Sequence, residues 1–156
     1  MARLKLKRAT YRHIEAEIYA YWETLQAIED LRRDIILGEQ EEAPKVSGGG
    51  YVGSFVENRA TRLADSVLLR EMQRITKAIQ DTYARAKEDC RNVVYIKYGL
   101  SIDWEPPQDV KTKVNDQMRF NAPIADLAGI MSVDERTFYR YRSGFVYGIA
   151  ERLGWW

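Results

Sequence analysis

Apolar residues recur every three or four positions over residues 9–37. Ile14, Ile18, Tyr21, Leu25, Ile28 and Ile35 form the series, and Arg32 interrupts it beside Leu31. That period aligns one face of an α-helix, and the alternating four-and-three spacing is a seam for another helix, as in a coiled coil. Thr10 is the expected N-cap and Gly38 the expected stop. A second long helix is expected over residues 58–88, where Leu68, Met72, Ile75, Ile79 and Ala86 repeat the spacing and Tyr83 fills in. Two long amphipathic helices of this kind can fold back as an antiparallel hairpin or pair with a second copy of the chain. Either arrangement leaves apolar surface uncovered, so self-association or docking by the C-terminal part is expected.

The intervening residues 39–56, EQEEAPKVSGGGYVGSFV, are polar and then glycine-rich. SGGGYVGS lacks the Lys-Ser/Thr pair of a phosphate loop, and no apolar strand precedes it, so the stretch is expected to be a connector. A third helix is expected over residues 89–99, ending at Gly99. Residues 101–121 are expected to be an irregular linker with a helical turn or two around residues 110–118.

From Pro123 the pattern changes to PIADLAGIMSVDERTFYRYRSGFVYGIAERLGWW. The small Ala128 follows Leu127, Met131 and Val133 flank Ser132, and Phe138 and Tyr141 come three residues apart. A helix-turn-helix needs this set: a small residue where two helices cross, a tight turn, and apolar residues locking the second helix onto the first. Asp134 is suited to cap the second helix and Glu135 to its dipole. Ser132 stands where the turn favours glycine.

With Phe138, Tyr141, Phe145 and Ile149 inward, the residues Glu135, Arg136, Tyr139, Arg140 and Ser143 face outward. Arg136, Thr137 and Arg140, near the start of the helix, suit base edges and phosphates. Arg142 is expected at the flank, within reach of backbone phosphates. An aromatic, arginine-rich final helix is also what a plain helical bundle presents, with arginine stems covering apolar surface.

Charge and composition narrow the choice. The formal net charge of the 156 residues is +1, so any nucleic-acid surface is a local patch. The first twelve residues carry Arg3, Lys5, Lys7, Arg8 and Arg12 with no acid. Such an arm can add phosphate contacts, with Lys5, Lys7 and Arg8 as the candidates, or can serve solubility alone. One cysteine (Cys90) and one histidine (His13) supply neither a disulfide nor a zinc site. No apolar run approaches the roughly 18 residues of a membrane span. A cytoplasmic protein with no cofactor is expected, and no nucleophile–base pair points to an enzyme.

Three segments resemble the RinA family of phage transcriptional activators, related to the ArpU-type late regulators. They are KLKRATYRHIEAEIYAYWETLQAIEDLRRDII, ENRATRLADSVLLREMQRITKAIQDTY and ERTFYRYRSGFVYGIAERLGWW. The resemblance covers most of the chain, leaving out the glycine-rich connector and residues 101–126. It implies a DNA-binding activator of phage late genes for packaging and structural proteins. It also implies a C-terminal part similar to the promoter-reading helix-turn-helix of sigma factors, with Arg136, Thr137, Arg140 and Arg142 on recognition-helix positions. Asp134 and Glu135 depart from the Ser and basic residue more frequent in that family.

The combined expectation is an all-α protein. Residues 1–100 form a long antiparallel helical hairpin that self-associates, 101–121 a linker, and 122–156 a helix-turn-helix. Its expected partners are double-stranded DNA, host RNA polymerase and other copies of the chain, with no membrane. The alternative is a small-terminase-like packaging protein, which also combines a helix-turn-helix with helical oligomerisation but usually carries the DNA-binding part first. A ring of eight or more copies would favour that alternative.

Overall fold

The computed structural model describes residues 5–41, 52–114 and 122–156. Among them are seven helices and no strand: α1 (Arg8–Tyr19), α2 (Tyr21–Glu41), α3 (Val52–Arg85), α4 (Glu88–Tyr98), α5 (Gln108–Lys113), α6 (Ile124–Ile130) and α7 (Glu135–Leu153). The protein is all-α. No helix among the described residues is long and apolar enough to cross a membrane.

The first expected helix is two helices. Ala20 leaves the helical path at φ −87°, ψ 3°, and α2 starts at Tyr21. Alanine is the strongest helix former, so local propensity gives no warning of the break. It falls where the chain divides into two compact units, residues 1–20 with 77–156 and residues 21–76. The N-cap of α1 is Lys7 rather than Thr10, whose hydroxyl donates instead to the Trp156 carbonyl at 3.1 Å.

α2 runs through Gly38 to Glu41, and α3 starts at Val52, six residues before the expected position, so both helices enter the expected connector. Its residues 42–51 lie outside the described residues. Gly99 ends α4 at φ 70°, as its position predicts. The helical turns expected near 110–118 occur as α5; Met118 lies outside the described residues.

In the unit of residues 21–76, Tyr21, Ile28 and Ile75 from the two expected seams are buried. The Arg62 side chain passes α2 near Gly38, where an added Cβ would lie 3.8 Å from its Cδ. Trp22, Ile36 and Leu37 on α2, and Leu63, Val67 and Leu68 on α3, are exposed.

In the other unit α7 is the central element, packed against α1, α4 and α6. Ile14 and Ile18, the start of the first seam, are fully buried on α1 within this unit. Tyr83, near the end of α3, meets Phe145 edge to face with ring centroids 6.5 Å apart. A Cβ at Gly148 would sit 2.9 Å from the Thr82 Cγ2, so glycine is what lets α7 approach α3 here. Gly154, at φ 70°, ends α7, and the Trp155 N–H reaches back to the Ala150 carbonyl at 3.0 Å, the wrapped closure of a Schellman turn. Val93, Ile96, Val110, Leu127, Ala128 and Phe138 form one buried cluster joining α4, α5, α6 and α7. Val110 thus makes part of the expected linker a packed component of the core.

Candidate nucleic-acid interface

The site is built on α6, a four-residue turn and α7. Leu127 and Ala128 on α6 are buried with Phe138 of α7. Ala128 carries the turn: its carbonyl accepts from the Met131 N–H at 3.1 Å and the Val133 N–H at 3.2 Å, while Gly129 accepts from Ser132 at 3.1 Å. Ser132 adopts φ 55°, a left-handed conformation that costs a side-chain-bearing residue roughly 1–2 kcal/mol relative to the right-handed one. Asp134 is extended and its carboxylate accepts from the Thr137 N–H at 2.7 Å, capping α7. The hydrogen bond from Thr137 holds the Asp134 carboxyl below its usual range, with a smaller contribution from Arg136 and Arg140.

Beyond the cap, α7 buries Phe138, Phe145, Val146, Ile149, Ala150 and Leu153. Glu135, Arg136, Tyr139 and Arg140 are exposed, while Thr137, Tyr141 and Ser143 are half-buried. Arg136, Thr137, Tyr139, Arg140 and Ser143 line one open depression of about 360 Å³. The Arg140 guanidinium lies 5.5 Å from the Tyr141 ring centroid, close enough for a cation–π contact that steadies it without removing its charge. Neither Arg136 nor Arg140 is held in an ion pair among the described residues.

Arg142 departs from its expected place at the exposed flank. Its side chain is 14% exposed, and its Nη2 and Nε donate to the Glu15 Oε2 at 2.8 and 3.2 Å. The Tyr98 hydroxyl donates to the same oxygen at 2.6 Å and accepts from the Arg142 Nε at 3.3 Å. Burial opposes the guanidinium charge, but Tyr98 and Glu15 outweigh it and raise the pKa of Arg142. Burial, and then the Glu15 charge, push the Tyr98 phenol up. With its donors turned to Glu15 and Tyr98, Arg142 ties α7 to α1 and α4.

Lys5, Lys7 and Arg8 are exposed, whereas Leu6 between them is buried. The Leu6 N–H donates to the Tyr147 hydroxyl at 3.1 Å. Tyr11 on α1 shares a hydrogen bond with Ser143 at 3.3 Å, and its ring meets Tyr147 edge to face at 6.5 Å. Burial raises the Tyr11 phenol, partly offset by the Ser143 hydrogen bond. Tyr11, Glu15 and Tyr147, which tie α1 and Leu6 to α7, are residues that helical periodicity does not single out. The signal that was available is the alternation Lys5, Leu6, Lys7, one apolar residue turned in between two cations.

Elsewhere the chemistry is quiet. The half-buried Cys90 thiol is pushed up to about 11 by burial, which keeps it protonated and a poor nucleophile. Among the described residues no group of three His, Cys, Asp or Glu side chains is placed to hold a metal. In comparisons with protein-family models, curated proteins and solved structures, the chain matches none.

Proposed function

We propose that this protein is a sequence-specific DNA-binding activator of the RinA-like phage late type, reading double-stranded DNA with the first turns of α7 as the recognition helix of a helix-turn-helix. One observation carries the reading: Arg136, Tyr139, Arg140 and Ser143, on the outward face that helical periodicity predicts, line a single open depression together with Thr137. It sits at the start of a helix fixed by a capped turn. An open surface with two arginines and hydroxyl donors suits the edges and phosphates of a groove better than a small molecule, which an enclosed cavity would hold. Contact with host RNA polymerase belongs to the same proposal and rests on the family resemblance.

The experiment is to enrich the preferred site from a random duplex pool with the native protein and then titrate variants against it. Arg140→Ala is expected to cost roughly 1–3 kcal/mol of specific binding while leaving the melting temperature unchanged. Unchanged affinity would remove the reading.

The proposal includes assembly of copies through α2 and α3. Leu63 and Val67, 68% and 59% exposed, stand one turn apart on α3 between the exposed Ala60, Ala64 and Leu68. This is the apolar stripe of a helix still lacking a partner helix. Ile18, on the expected seam, is buried within its own chain, so a charge there tests folding instead. Leu63→Glu with Val67→Glu is expected to convert an oligomer into a folded monomer by light scattering. A monomeric native protein would refute assembly, and a ring of eight or more would favour the packaging reading.

A further inference from the structure

Residues 5–8 are fastened at a definite place on α7. The Leu6 N–H donates to the Tyr147 hydroxyl, the Leu6 side chain is buried, and the neighbouring Lys5 and Lys7 are exposed. Tyr11 reinforces the attachment one helical turn on, through Ser143 and the edge of the Tyr147 ring. At 100° per residue, Arg136, Arg140, Ser143 and Tyr147 fall within an arc of roughly 60° on α7. The stripe that carries the two exposed arginines therefore continues into the stripe that seats the basic segment. Seven residues separate Arg140 from Tyr147, an axial distance of about 10 Å, comparable with the roughly 12 Å width of a DNA major groove. No acidic residue lies in the first turn of α1 to offset Lys7 and Arg8.

We infer that Tyr147 is a positioning residue that holds Lys5, Lys7 and Arg8 against the sugar–phosphate rim of the same groove that receives Arg136 and Arg140. The inference rests on the DNA-binding reading and adds to it that α7 and the basic segment form one prearranged clamp on a duplex. A free arm would surrender part of its electrostatic gain to ordering on binding. A segment already seated by Leu6 and Tyr147 keeps more of that gain.

Tyr147→Phe removes the hydroxyl and keeps the ring. The test measures its affinity for a labelled mixed-sequence duplex over a range of salt, in the native background and with Lys5→Ala and Lys7→Ala together. The double lysine variant should lower the slope of log K against log salt by about 1.8, two phosphate contacts at 0.9 each. Tyr147→Phe should weaken binding about three- to tenfold in the native background, the net worth of one neutral hydrogen bond. It should have no further effect once the lysines are gone, because it acts through them. No effect in either background, or the same weakening in both, overturns the positioning role. Arg140→Ala, run beside these, separates the two levels. If it weakens binding while Tyr147→Phe does not, the clamp fails and the recognition helix stands; if it is silent as well, the DNA-binding reading itself fails.

Discussion

Replacing Glu15 with alanine should destabilise the protein by roughly 3 kcal/mol, the lower end of the cost of breaking a buried ion pair, because each side chain of this pair keeps 14% of its surface exposed. The Arg142 guanidinium would lose the Glu15 oxygen at 2.8 Å and keep the Tyr98 hydroxyl at 3.3 Å and the faces of Tyr11 and Tyr139, in a position 14% exposed to water. Arg142→Ala should cost a similar amount by stranding the carboxylate. Glu15→Leu combined with Arg142→Met should recover most of the loss, since buried pairs replaced by apolar groups of similar volume are close to neutral in stability. Chemical denaturation of the single and double variants measures all three. The same experiment separates two roles for arginine on one helix. If Arg142 instead met phosphates from an exposed position, Arg142→Ala would leave stability intact and weaken DNA binding. Loss of stability with unchanged affinity per folded molecule is the expected pattern.

Arg142 also marks where a local reading of the chain stops. It follows Phe138 by four residues, about 40° further round the helix, on the margin of the buried stripe. Its charge suggested the outside, and its true partner stands 127 residues earlier in the chain. Nothing in the final helix announces Glu15. The break at Ala20 is of the same kind, because alanine is a strong helix former and the interruption falls at a division between packed units. The early start of α3 was hidden by the glycines before it, residues that normally weaken a helix. Features governed by neighbours within a turn or two were legible: Gly99 stopping α4, Asp134 capping α7, Phe138 inward with Arg136 and Arg140 outward. Ser132, a serine in a turn position that favours glycine, holds the positive φ that makes glycine the easier choice. The core of the candidate site was therefore readable from spacing. Its attachment to residues 5–8 and to α1 was not, because that depends on pairings 127 to 141 residues apart.

The second large effect belongs to Phe138. Its ring is 0% exposed and belongs to the buried cluster with Val93, Ile96, Val110, Leu127 and Ala128, to which four helices contribute. Phe138→Ala should cost roughly 3–5 kcal/mol, combining lost apolar transfer with a cavity that helices pinned on several sides cannot collapse to fill. A fall in melting temperature of about 10 °C is the corresponding observable for a chain of this size. Duplex affinity, measured well below that temperature, should fall less than in Arg140→Ala, which removes an exposed charge and leaves Phe138 in place. The cavity loosens the seat of α7 but leaves the Asp134–Thr137 cap and the exposed arginines in place. Phe138→Leu should restore most of the stability by refilling the space. If Phe138→Ala instead melted like the native protein, α6 and α7 would not be held together through this ring. A rigid recognition surface at the start of α7 would then lose its physical basis.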